Sequence, residues 1–143
     1  MNETGFKIKQ VKWQDMKSHL CHIRTVVFIE EQNVPENMEW DSYDDTCVHV
    51  IAEMNEEYIA TGRLLDSGQI GRMAVLKPYR KLGVGSALLE RLLSIAESRK
   101  MKSVFLNAQI DAVDFYKKFG FKEEGDAFDD AGILHKKMNK AFC

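Results

Sequence analysis

A chain of 143 residues with 45% hydrophobic and 29% charged side chains has the size and balance of a single globular domain, expected to span residues 1–143. Its formal net charge of −2 gives no overall attraction to a nucleic acid backbone or an anionic membrane, so neither partner is expected. No apolar run approaches the roughly 20 residues of a bilayer-spanning helix, the first residues lack a secretory signal, and Cys21, Cys47 and Cys143 follow no C-x-x-C or disulfide rhythm. A cytoplasmic protein with reduced thiols is expected.

In chain order, Phe6, Ile8 and Val11 alternate with Lys7, Lys9 and Gln10, the period of a half-buried strand. Met16, Leu20, Ile23 and Val27 recur every three or four positions, which predicts a helix from residue 13 to about 31. Asn33 and Pro35 end it, and a loop or short second helix follows. Apolar runs over 47–54, 58–65 and 69–76, separated by Asn55-Glu56-Glu57 and Asp66-Ser67-Gly68, predict three antiparallel strands.

After Pro78, the stripe Val84, Leu88, Leu92, Ile95 or Ala96 predicts a helix to about residue 99. Residues 104–108 predict a buried strand, 112–118 a short helix stopped by Phe119-Gly120-Phe121, and 133–138 a last strand after an acidic turn at Asp129-Asp130. The order describes a mixed, mostly antiparallel α/β fold, one central sheet covered by helices, and not regular doubly wound alternation.

The stretch Tyr79-Arg80-Lys81-Leu82-Gly83-Val84-Gly85-Ser86-Ala87-Leu88-Leu89 carries the most chemistry. A helix start leaves backbone N–H groups unpaired at the positive end of its dipole, where phosphate binds readily. Gly83 and Gly85 let a ligand approach the main chain, and Arg80 and Lys81 add charge at the rim. A phosphorylated ligand is expected. A Walker loop requires Gly-Lys before Ser or Thr, and a dinucleotide fingerprint requires glycine where Leu88 stands, so neither pattern applies.

Arg80-Lys81-Leu82-Gly83-Val84-Gly85 resembles the arginine-x-x-glycine-x-glycine signature of the GNAT superfamily of acyl-CoA-dependent N-acetyltransferases. Ile70-Gly71-Arg72-Met73-Ala74-Val75 precedes it as that family's fourth strand does. Leu106-Asn107-Ala108, Ala112, Phe115-Tyr116 and Phe119-Gly120-Phe121 follow it. Val27-Phe28-Ile29-Glu30-Glu31-Gln32-Asn33-Val34-Pro35 and Ala131-Gly132-Ile133-Leu134-His135 are similar to a subgroup of small, stand-alone bacterial members with undefined substrates.

The resemblance implies acetyl-CoA as co-substrate, no metal, and a sheet whose fourth and fifth strands splay to admit the pantetheine arm. It places the pyrophosphate on Arg80, Lys81, Leu82, Gly83, Val84, Gly85 and Ser86, and the pantetheine on a bulged strand at Met73, Ala74 and Val75. Tyr116 matches the tyrosine that protonates the departing CoA sulfur, although pattern alone also allows an aromatic core residue. Asn107 matches a polar position that contacts the co-substrate, or is a buried asparagine satisfied by backbone.

An alkylamine must lose a proton before attack, and many family members use a glutamate on the fourth strand. Gln69-Ile70-Gly71-Arg72-Met73 has no carboxylate there. Glu31, His49 and His135 are the candidate bases, each with a plain structural alternative. The acidic residues Glu36, Glu39, Asp41, Asp44 and Asp45 either steer a cationic amine or form a solvated loop, while Arg24, Arg63 and Arg72 could bind an acidic acceptor. His19, Cys21 and His22 lack the spacing of a metal site.

The expected activity is acetyl transfer from acetyl-CoA to a primary amine of a small molecule, by direct attack in a ternary complex. The alternatives are a CoA-binding regulatory module with little catalysis and a protein lysine or N-terminal acetyltransferase. The superfamily resemblance also leaves room for a homodimer.

Overall fold

The computed structural model describes residues 5–142, so Cys143 and the N-terminal residues 1–4 used above lie outside it. Strands β1 (Phe6–Val11), β2 (Val48–Met54), β3 (Glu57–Leu64) and β4 (Ile70–Val75) form one antiparallel sheet in sequence order. Strands β5 (Ser103–Gln109), β6 (Lys122–Asp130) and β7 (Ile133–Ala141) form a second, in the order β5-β7-β6. The mixed, mostly antiparallel α/β arrangement expected from sequence is observed, with the central sheet divided between β4 and β5 into two hydrogen-bonded parts.

The sheets touch through a parallel bridge at Gln69 and Phe105, where the Phe105 amide donates to the Gly68 carbonyl at 3.0 Å. Gly68 has φ +94°, a left-handed turn that glycine adopts without a Cβ penalty. Beyond that point no ladder joins β4 to β5, and the two strands diverge.

Helix α1 (Trp13–Arg24) runs on into a π-helical segment, Thr25–Glu31, instead of continuing as α-helix to residue 31. Thr25, Val26 and Val27 are consecutive β-branched residues, which crowd an α-helical turn, and a wider π-turn relieves them. The expected short second helix is α2 (Glu36–Glu39). Helix α3 (Val84–Ser98) follows the glycine turn, and α4 (Val113–Lys117) follows β5.

Strand β6 has no counterpart among the predicted elements, because Lys-Glu-Glu-Gly-Asp carries no apolar face and nearly every residue is exposed. It forms because β7 offers it a ladder, and Gly125, at φ +74°, lies where that ladder shifts register.

Helix α3 ties the sheets together. Its face Val84, Leu88, Leu89, Leu92 and Ala96 is buried against Val50, Ile59 and Leu64 of the first sheet and Val104, Leu106 and Met138 of the second, in one core. Helix α1, through Trp13, Leu20 and Ile23, and the π-helical segment, through Val27, cover the opposite face of the first sheet, with Ile51 and Ala74 beneath. No helix among the described residues is long and apolar enough to cross a membrane.

Candidate active site

The glycine turn brings Lys81 and Gly83 into the left-handed region at φ +66° and +86° and then opens α3. The first helical bond runs from the Ala87 amide to the Gly83 carbonyl at 3.1 Å, so the amides of Val84, Gly85 and Ser86 precede the hydrogen-bonded ladder. Gly83, at the N-cap, supplies no side chain to satisfy them. A Cβ on Gly83 would meet nothing within 4 Å, and one on Gly85 would lie 3.8 Å from Phe115 Cζ. An open glycine surface with free amides at a helix start fits a pyrophosphate.

Arg80 braces this turn. Its Nε donates to the Val75 carbonyl at 2.8 Å, while Nη1 and Nη2 bond the two carboxylate oxygens of Glu31 at 2.7 Å each. The Arg80 guanidinium holds the Glu31 carboxyl below the usual carboxylate range. Glu31 thus sits at the cradle, and it does not line the cavity described next.

Strand β4 is bulged. Thr61 pairs with Ala74 and Arg63 with Gly71, so Arg72 and Met73 together oppose Gly62, and Arg72 takes φ +50°. A Cβ on Gly62 would stand 3.2 Å from Leu92 Cδ1 and 3.3 Å from Met73 Cγ, so glycine lets the bulge press onto α3. The extra residue leaves backbone groups outside the ladder beside Met73, Ala74 and Val75.

Where β4 and β5 part lies a cavity of ≈ 250 Å³. Tyr116 and Met73 line it toward the bulge, Asn107 and Gln109 come from β5, and His135 comes from β7. The Tyr116 hydroxyl points to the Met73 sulfur at 3.9 Å, its one hydrogen-bond partner among the described residues, and its ring packs edge-on against Phe115 and Phe121. Burial pushes the Tyr116 phenol up to about 12, which keeps it a proton donor at neutral pH.

His135 is buried, its ring stacked on Phe128 at 6.0 Å. Its Nδ1 lies 2.7 Å from the Ile133 carbonyl, which only accepts, so the neutral ring carries its proton on Nδ1 and its lone pair on Nε2. A cavity-lining imidazole held in that tautomer is able to accept a proton.

His49 is placed elsewhere. It is 1% exposed on β2, bonded through Nε2 to the Asp44 carbonyl at 2.9 Å and stacked on Trp13 at 5.1 Å, and burial lowers its pKa. Like Glu31, it does not line the cavity. Asp44, Cys47 and His49 bring three potential metal-ligand atoms within 4.8 Å of one another. Arg24 and Arg63 already pair with the Asp44 carboxylate, and burial pushes the Cys47 thiol up to about 11, which disfavours the thiolate a metal would need.

The acidic segment is largely an internal counterion. Arg24, 1% exposed and flanked by Trp13 and Trp40, pairs with Glu39 and Asp44 at 2.8 Å each. Arg63 pairs with Asp41 and Asp44, and Arg72 with Glu39 and Asp41. Three cations thus balance three carboxylates, which removes Glu39, Asp41 and Asp44 as free attractants for an amine. The same pairing takes Arg24, Arg63 and Arg72 from an acidic acceptor.

Gln32, Gln109 and Asp130 also line the cavity and are not among the residues expected there from sequence. Strand alternation puts Gln109 on the face of Asn107 and was signal enough, whereas Gln32 and Asp130 reach the cavity only through tertiary packing.

Two diverging sheets, a bulged strand at the split and an anion-accepting helix start define an acyl-CoA-dependent acyltransferase. Residues 12–142 match the acetyltransferase (GNAT) domain family. The chain is 37% identical over 123 residues to YjcF of Bacillus subtilis, described as an uncharacterized N-acetyltransferase, covering 83% of this chain and 88% of that one. Its fold matches an acyl-CoA N-acyltransferase of Pseudomonas aeruginosa with a TM-score of 0.85 and 29% identity, over 95% and 99% of the two chains. Escherichia coli ElaA matches with a TM-score of 0.85 and 28% identity, over 94% and 99%. The chain belongs to the GNAT family and is an acyl-CoA-dependent acetyltransferase.

Proposed function

We propose that the protein transfers the acetyl group of acetyl-CoA to a primary amine of a small molecule, by direct attack in a ternary complex. The observation that carries this reading is the position of Tyr116, a protonated hydroxyl lining the cavity and touching Met73 of the bulge. Acetyl-CoA supplies a thioester whose carbonyl is open to attack. The amides of Val84, Gly85 and Ser86 hold its pyrophosphate, with Arg80, Lys81 and Leu82 shaping the turn and Asn107 bordering the acceptor.

Freed backbone N–H groups at the β4 bulge face the charge that develops on the thioester oxygen. His135 Nε2 takes the proton from the amine, directly or through a water, and Tyr116 gives its proton to the departing sulfur. Calorimetric titration with acetyl-CoA followed by thiol release across an amine panel tests the reading. Tyr116→Phe should lower kcat about 100-fold with little change in acetyl-CoA affinity. Unchanged turnover in that variant removes the tyrosine from the chemistry.

A further inference from the structure

We infer that Gln32 and Gln109 form an amide clasp that selects acceptor amines bearing a neutral carboxamide-like group and disfavours those bearing a carboxylate. The inference rests on the amine-acetylation reading and names the acceptor class for that same cavity. Gln32 closes the π-helical segment and Gln109 ends β5, and both line the cavity. Gln109 Nε2 donates to Gln32 Oε1 at 2.9 Å, a bond between residues 77 apart in sequence.

Each side-chain amide carries a two-hydrogen donor and a carbonyl acceptor. One mutual bond leaves the Gln32 amino group and the Gln109 carbonyl without another side-chain partner among the described residues. If the two amides are flipped, the roles exchange and the pair still presents one donor group and one carbonyl. A carboxamide or peptide-like amide on the acceptor complements that pair with its own carbonyl and N–H, whereas a carboxylate offers only acceptors.

Charge points the same way. The charged residues lining the cavity are Glu39, Arg72 and Asp130. Arg72 already faces Glu39 at 3.1 Å and Asp41 at 3.4 Å, and Asp130 has no ion pair among the described residues. The cavity therefore presents an uncompensated negative charge, which favours the ammonium form of an arriving amine and opposes an anionic tail. Phe28, Val34 and Met38 add an apolar wall for a short carbon chain.

The test is thiol release at saturating acetyl-CoA with γ-aminobutyrate and δ-aminovalerate, each against its own carboxamide and each rate expressed per free amine. The matching n-alkylamine serves as reference. In these pairs the amine is remote from the varied group. The carboxamide should exceed the acid by about tenfold in kcat/KM, which corresponds to one or two hydrogen bonds. In Gln109→Leu and separately in Gln32→Leu, the carboxamide-to-alkylamine ratio should fall about tenfold through KM. Thermal unfolding of each variant confirms that it is folded, and two variants guard against loss of either one.

Acids turned over as well as their carboxamides overturn the clasp, as does a carboxamide no better than the plain alkylamine. Absence of thiol release with every amine sinks the acetyl-transfer reading instead. Calorimetric titration of γ-aminobutyramide against γ-aminobutyrate into the CoA-saturated protein then still decides the clasp, and equal affinity overturns it.

Discussion

Arg80 uses its Nε on the Val75 carbonyl and both Nη groups on Glu31, so the motif arginine works on the protein before any ligand arrives. It ties the end of β4, where the bulged strand leaves the sheet, to the end of the π-helical segment. The pair is about a third exposed, so its strength is that of a screened surface bridge. Glu31→Gln keeps the shape and removes the charge. It should raise KM for acetyl-CoA about two- to fivefold with kcat nearly unchanged, an effect that shrinks at high salt. A hundredfold loss of kcat would instead give Glu31 the role of base. Because Arg80 depresses the Glu31 pKa, the bridge is complete above the ordinary glutamate range and is lost only as pH falls through the lower folded value. The effect should therefore be constant from pH 6 to 8.

At the scale of elements, the start of α3 places helix stability against ligand access. Gly85 lies in the first helical turn, and a Cβ there would make ordinary contacts with Phe115 and Val75. Gly85→Ala should raise stability, by up to about 1 kcal/mol, because glycine is the poorer helix residue. In the proposed cradle the same methyl narrows the space beside the amides that take the pyrophosphate, so acetyl-CoA affinity should fall. A variant with a higher Tm and unchanged affinity for acetyl-CoA would refute the cradle.

This element was legible in sequence because its signal is local: glycines, basic residues and a following apolar stripe within one short stretch. The four-stranded meander was legible for the same reason, through its runs and turns. Strand β6 was not, since its polarity hides a ladder that only β7 supplies, and neither was the π-turn, which preserves the apolar spacing of a helix. The histidines show the limit most plainly. His49 and His135 both sit in apolar strand sequences, yet one is sealed beneath Trp13 and the other borders the cavity, a difference made by partners far away in the chain.

For the whole molecule, two sheets joined at the Gln69–Phe105 bridge share one core through α3, so they should unfold as one unit. His49 gives that unit an acid-sensitive point. Burial lowers its pKa in the fold, and Arg24 and Arg63 nearby add to the effect, while Asp44 opposes it. The unfolded histidine takes up a proton as pH falls through about 6.5, where the folded one resists. Below that value the unfolded state binds more protons, so stability falls with falling pH until the folded pKa is passed. Burial raises the Glu39 pKa, which works in the opposite direction above about 4.5, so the comparison with a His49→Gln variant isolates the histidine. Between pH 7 and 5 the wild type should lose more of its Tm than His49→Gln does. Tryptophan fluorescence, which reports Trp13 and Trp40 on either side of Arg24 against the first sheet, and far-UV circular dichroism, which reports both sheets, should give the same midpoint at each pH. Equal acid sensitivity in the two proteins would refute the buried neutral histidine. Two separated midpoints would show that the second sheet folds without the first.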